Sequence, residues 1–121
     1  MEDAQQRAVL VADDDAALRL LCRVNLELDG YRVLEAETAE EVTRVLDGED
    51  VDVLLLDVHL GADDGLELAK ELRASRPELG VALFTGSVER RDAWGEIAAG
   101  FLAKPFTLDE LAQTVRALAP R

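Results

Sequence analysis

Short apolar runs alternate along this chain with longer segments in which apolar residues recur every three or four positions. Ala8–Ala12 (AVLVA) is apolar throughout and lies between Arg7 and Asp13, the pattern of a strand covered on both faces. Asp13–Asp15 follow, and then a helical stripe of Leu18, Leu21, Cys22, Asn25 and Leu28, closed by Gly30 where a helix end favours glycine. Tyr31–Ala36 reads as a second strand. Thr38 and Glu41 have capping-box spacing and open a helix with Val42, Val45 and Leu46 facing inward. Val51–Val58 (VDVLLLDV) is the clearest strand, and Leu66, Ala69 and Leu72 mark a helix that closes before Pro77. Val81–Thr85 (VALFT) predicts a fourth strand, Ala93–Ala99 a short helix and Phe101–Ala103 a short fifth strand. Thr107 with Glu110 repeats the capping-box spacing ahead of a stripe of Leu108, Leu111, Ala112, Val115 and Leu118.

Five strand–helix units in succession predict an α/β fold with a parallel sheet and helices on both faces. No linker or low-complexity segment interrupts them, so residues 1–121 are expected to form a single domain with no output domain. The repetition is architectural, with no residue-level internal repeat. In open sheets of this kind ligands sit at the carboxyl ends of the strands, where the chain order reverses. The residues just after each strand therefore matter most.

Charge narrows the function classes. The chain of 121 residues carries 13 Lys and Arg against 26 Asp and Glu, a net charge of −13 with His59 neutral. A field of that sign repels phosphate backbones and anionic lipid, which argues against direct nucleic-acid or membrane-surface binding. Cys22 is the single cysteine, so neither an intramolecular disulfide nor a cysteine-rich metal site can form. Leu79–Val88, the longest stretch without a formal charge, is too short to span a bilayer, and residues 1–7 hold no apolar signal core. A small acidic cytoplasmic protein is the expectation.

The strand ends gather one kind of chemistry. Asp13, Asp14 and Asp15 follow the first strand, Asp57 ends the third, Thr85–Gly86 ends the fourth, and Lys104–Pro105 follows the fifth. Carboxylates brought within a few ångströms repel and raise one another's pKa. A hard divalent cation removes that repulsion, and Mg²⁺ accepts a couple of carboxylates while keeping its waters. A carboxylate can attack phosphorus and form an acyl phosphate, with the cation, a lysine and a threonine hydroxyl sharing the phosphoryl charge. Such a set suits phosphoryl transfer in which the protein is itself the acceptor.

These residues carry a family resemblance. AVLVADDDAALRLL, VDVLLLDVHLGADDGLEL, Thr85–Gly86 and FLAKPF, in that order, resemble the receiver domain of response regulators, the CheY-like phosphoacceptor of two-component signalling. The likeness runs from about Arg7 to Leu118. It implies a doubly wound sheet of flavodoxin-like order 2-1-3-4-5, and Asp57 as the residue phosphorylated by a sensor histidine kinase or phosphotransfer protein. It further implies Asp14 as a direct Mg²⁺ ligand, Asp13 as a ligand largely through water, and His59 as a donor through its backbone carbonyl. Thr85 and Lys104 would bind phosphoryl oxygens, Lys104–Pro105 would be a cis peptide, and Phe101 would turn inward behind the moving threonine. The module would catalyse its own phosphorylation and dephosphorylation without being a dedicated enzyme. It would switch contacts with a downstream protein, and weak homodimerisation would be compatible with that role. Three features depart from the family pattern. Gly61 stands where proline is usual, leaving a looser loop; the 19 positions from Thr85 to Lys104 shorten the fourth-helix region; and Phe101 lacks the tyrosine hydroxyl, so an apolar pocket should hold it inward.

Plainer roles compete at several positions. Asp15 reads chiefly as the cap of the first helix, and Cys22 and Trp94 as packing residues. The side chains of His59 and Ser87 would tune solvent access to an acyl phosphate rather than act as bases. A pseudo-receiver that binds partners without phosphorylation is the runner-up reading. A small phosphatase of the haloacid-dehalogenase type wants two aspartates spaced by one after the first strand and a longer core, which this chain lacks. A flavin binder would need a Ser/Thr-rich phosphate loop there, and none follows.

Overall fold

The computed structural model describes residues 6–86 and 94–119. The chain runs β1 (Ala8–Ala12), α1 (Ala16–Leu28), β2 (Arg32–Ala36), α2 (Ala39–Gly48), β3 (Val53–Asp57), β4 (His59–Leu60), β5 (Asp63–Asp64), α3 (Gly65–Ser75), β6 (Gly80–Thr85), β7 (Gly100–Ala103) and α4 (Leu108–Leu118). Five strands form one parallel sheet in the order β2-β1-β3-β6-β7, which is 2-1-3-4-5 when its strands alone are counted. The other two, β4 and β5, make a two-residue antiparallel ladder with His59 opposite Asp64 and Leu60 opposite Asp63.

Alternation along the buried strands builds two cores. Leu10, Ala12, Leu54, Leu56 and Leu83 face α2 and α3, meeting Val42, Leu46, Leu68, Ala69 and Leu72. Val9, Val11, Val53, Leu55, Ala82 and Phe84 face the other way, onto Cys22 and Leu26 of α1 and Leu111 and Val115 of α4. A strand buried on both faces needs apolar residues along its length, which is why β1 is an unbroken run and β3 is one up to Asp57. Cys22 is part of this packing, and burial pushes its thiol pKa up to about 12, with the charge of Asp13 adding to the rise. Trp94 packs half-buried against the first core.

Three helical expectations need correction. In α1 the inward residues are Cys22 and Leu26, flanked by Leu18, whereas Leu21 is exposed and Leu28 is 79% exposed. Apolar residues occur all round this helix, so spacing alone does not choose its phase, and only contact with β1 and β2 does. On α4, Leu108 is likewise exposed, because it precedes the turn that reaches the sheet. The helix expected over Ala93–Ala99 is, in its described part, a single turn. The N–H groups of Ile97 and Ala98 donate to the Trp94 carbonyl at 2.9 and 3.2 Å. The Ala99 N–H already donates to Val81 as the chain enters β7, which leaves no room for a second turn. Ala93 and Ser87 lie outside the described residues.

The caps follow side-chain chemistry. Asp15 caps α1, accepting from the N–H groups of Ala17 and Leu18 at 3.0 and 3.3 Å. Thr107 and Glu110 form a complete capping box on α4. On α2, Thr38 accepts from Glu41 at 3.1 Å, but the Glu41 carboxylate reaches past the cap to the Glu37 N–H at 2.8 Å. That box is therefore displaced by one residue. No helix among the described residues is long and apolar enough to cross a membrane.

Gly65 sets how tightly α3 starts against the end of β3. A Cβ there would lie 1.9 Å from the Asp57 carbonyl oxygen, and the Gly65 N–H donates to Val58 at 2.9 Å. Gly65→Ala is expected to lower stability by about 2–3 kcal/mol, as overpacking of a rigid contact does. A urea midpoint shift with an unchanged m-value would measure it.

Candidate functional site

The carboxyl ends of β1, β3, β6 and β7 converge at one rim of the sheet. Parallel pairing sets this alignment, with Ala12 opposite Leu56, Asp57 opposite Phe84, and Thr85 opposite Ala103. One step beyond these registers stand Asp13, Asp57, Thr85 and Lys104. Residues far apart in the chain therefore meet because their strands are in register.

The Lys104 ammonium is the centre of the group. It donates to Asp13 Oδ2 at 2.7 Å and to Asp57 Oδ2 at 3.2 Å, and it lies 5.3 Å from the Phe84 ring centroid. Phe84 in turn stacks on Phe106 with centroids 5.6 Å apart. The Lys104 N–H donates to the Thr85 carbonyl at 2.8 Å, which fixes where the side chain begins. The Lys104–Pro105 peptide bond is cis. Burial alone would push the Lys104 pKa down, but the hydrogen bond and charge of Asp13, then those of Asp57, outweigh it and hold the pKa above 10.5.

Each of the two paired carboxylates divides its oxygens between backbone and lysine. Asp13, only 1% exposed, accepts from the Asp15 N–H through Oδ1 at 2.9 Å. Asp57, also buried, accepts from the His59 N–H through Oδ1 at 3.0 Å. Asp14 is exposed, and one oxygen from each of Asp13, Asp14 and Asp57 lies within 4.8 Å of the others. Three hard carboxylate donors at that spacing fit a small divalent cation of the Mg²⁺ kind. The buried Thr85 hydroxyl has no hydrogen-bond partner among the described residues, an expensive state that an incoming acceptor oxygen could relieve.

Other expected residues lie around this centre. The His59 side chain is exposed, and its carbonyl accepts from the Gly61 N–H at 3.2 Å within a tight turn where Gly61 has φ +58°. Phe101 lies half-buried on the edge strand β7 against the first core, rather than fully enclosed. Two residues escaped the sequence reading. Arg19 donates to the Asp13 carbonyl at 2.7 Å and to Glu35 at 2.9 Å, and so steadies the acidic turn from α1. Asp63 accepts from the Ala39 N–H at 2.9 Å, tying the loop after Asp57 to α2. The Arg19–Glu35 and Asp63–Ala39 contacts join segments 16 and 24 residues apart, and no local spacing signals them.

Comparison with known proteins gives a consistent result. Residues 9–116 match the family described as the response regulator receiver domain. Response regulator MprA of Mycobacterium ulcerans is 36% identical over 120 residues, which cover 93% of this chain and 50% of that protein. MprA of Mycobacterium tuberculosis is likewise 36% identical, with the same coverage. The chain thus spans about half the length of the curated relatives it matches. Among solved structures, the receiver domain of NtrX from Brucella abortus is 28% identical with a TM-score of 0.80, covering 91% of this chain and 96% of that one. A CheY-like receiver domain protein from Methanospirillum hungatei is 25% identical with a TM-score of 0.85, covering 93% and 92%.

The charge arithmetic of the site is testable. Three carboxylates around one ammonium leave an excess of negative charge, so Asp57→Asn is expected to keep or raise stability without metal. Lys104→Met leaves Asp13 buried without its counter-charge and should cost about 2–3 kcal/mol. Because the folded-state pKa of Lys104 is raised, its contribution is complete below pH 10.5 and is lost as pH climbs through the raised value. Urea midpoints across that alkaline range should fall more steeply for the wild type than for Lys104→Met.

Proposed function

The chain belongs to the response regulator receiver domain family, and we propose that it acts as a phosphoacceptor module that takes a phosphoryl group onto Asp57. The observation that carries this reading is the Lys104 ammonium shared by Asp13 and Asp57, just past a strand whose neighbour ends in Thr85 with a buried hydroxyl that has no partner among the described residues. A carboxylate nucleophile, a cation and a spare donor are what an incoming phosphoryl group needs.

In the proposed reaction an Asp57 carboxylate oxygen attacks the phosphorus of a phosphohistidine on a sensor kinase or phosphotransfer protein. The O–P bond forms as the P–N bond breaks, and the electron pair leaves with the imidazole. Lys104 exchanges its contact with Asp57 Oδ2 for a phosphoryl oxygen without leaving Asp13. Thr85 moves to donate its hydroxyl to another phosphoryl oxygen, and Phe101 follows it inward. Asp14 directly, Asp13 largely through water, Asp57 and the His59 carbonyl would hold Mg²⁺, which when bound neutralises charge on the phosphoryl oxygens. The same groups would orient a water for hydrolysis of the acyl phosphate, so the protein would promote its own dephosphorylation without turning over a separate substrate. Movement of Thr85 and Phe101 would alter the surface offered to a downstream protein partner.

Incubation with acetyl phosphate and Mg²⁺ should add the mass of one phosphoryl group to the intact protein, and Asp57→Asn should remove that adduct. A folded wild-type protein that gains no adduct and binds no beryllofluoride would overturn the reading in favour of an interaction module that works without phosphorylation.

A further inference from the structure

We infer that Asp63 is a positioning residue for the cation cluster, acting through the loop that follows Asp57. The inference rests on the phosphoacceptor reading and extends it to a residue outside the acidic group. That loop is the two-residue β4–β5 ladder, with Gly61 and Ala62 between its strands. It carries the His59 carbonyl, and its His59 N–H donates to Asp57 Oδ1 at 3.0 Å. It also passes close to Asp14, since a Cβ built on Gly61 would lie in ordinary contact, 3.7 Å from the Asp14 Cβ and 3.9 Å from its Oδ2. Where the ladder sits therefore sets the gap between Asp14 and Asp57 in which a cation would lie.

A ladder of two residue pairs has little stability of its own, and glycine at its turn adds freedom to the unfolded loop. It must be anchored from outside. Leu60 is buried in the core, and the Gly65 N–H donates to Val58 at 2.9 Å. The third anchor is Asp63, whose half-buried carboxylate accepts from the Ala39 N–H at 2.9 Å. Ala39 opens α2, so its N–H is among those with no intrahelical partner, and the helix dipole favours the negative charge there. Adjacent aspartates thus do separate work. Asp64 caps α3, accepting from Glu67 at 3.1 Å, while Asp63 reaches a helix 24 residues earlier.

A cap that served α2 alone would be replaceable by α2's own cap, Thr38, whose hydroxyl accepts from Glu41 within α2. That difference defines the experiment. Calorimetric titration of the full chain with Mg²⁺ alone, together with amide exchange at Ala39, is run on the wild type, Asp63→Ala, Asp63→Asn and Thr38→Ala. Asp63→Ala should speed Ala39 exchange about tenfold and weaken Mg²⁺ binding about tenfold, as loss of an outer-sphere support does. Asp63→Asn keeps an acceptor oxygen and should restore most of both, which also covers the case in which Asp63→Ala does not fold. Thr38→Ala should leave Mg²⁺ affinity within about twofold of wild type, because no outer-sphere support is removed. Faster Ala39 exchange in Asp63→Ala with unchanged Mg²⁺ affinity, or equal loss of affinity in Thr38→Ala, would reduce Asp63 to a helix cap. A wild type that binds no Mg²⁺ would instead overturn the phosphoacceptor reading itself.

Discussion

Asp13 and Asp57 are buried side by side at the rim of the sheet, and their repulsion would destabilise the fold without a counter-charge. The Lys104 ammonium supplies it, donating to one oxygen of each. Its position follows from the parallel register of β6 and β7 and from the bond between its own N–H and the Thr85 carbonyl. The core on one side of the sheet, from Val9 to Val115, holds that register. Packing and site chemistry are therefore linked, since a shift of one residue in β7 would turn Lys104 away from both carboxylates.

The architecture was legible because its signals are local. β1 and β3 announced themselves as apolar runs covered on both faces, and Thr107–Glu110 announced α4. The candidate site is legible for a related reason: strands in a parallel sheet deliver their last residues to one edge, which predicts that Asp13, Asp57, Thr85 and Lys104 stand at the same rim. Phase was harder. With Leu18, Leu20, Leu21, Cys22, Val24, Leu26 and Leu28 all on α1, several faces are apolar, and contact with the sheet selects Cys22 and Leu26. The helix expected over Ala93–Ala99 is cut to a turn in its described part because Ala99 is already paired with Val81.

Long-range polar contacts were not legible at all. Arg19 looks like an ordinary helix arginine, yet besides the nearby Asp13 carbonyl it reaches Glu35, 16 residues on. Glu35 also receives Arg23 at 2.6 Å; burial alone would raise its pKa, but the hydrogen bonds from Arg19 and Arg23 keep it below the usual glutamate value. The acidic turn thus has a basic neighbour on α1, and the loop after Asp57 has an anchor on α2 through Asp63. Gly61 gives that loop its positive φ, and the carboxylate of Asp63 ties it down.

On the proposed reading, a divalent cation at the acidic rim would relieve repulsion that one lysine only partly cancels. The most direct measurement is the melting temperature of the wild type and of Asp14→Asn as Mg²⁺ is raised. The account predicts a wild-type Tm that climbs with Mg²⁺, reaching about 2.7 kcal/mol of added stability at a hundredfold excess over the dissociation constant. The rise should be largely absent in Asp14→Asn. A wild-type Tm indifferent to Mg²⁺, or an equal rise in the variant, would contradict it.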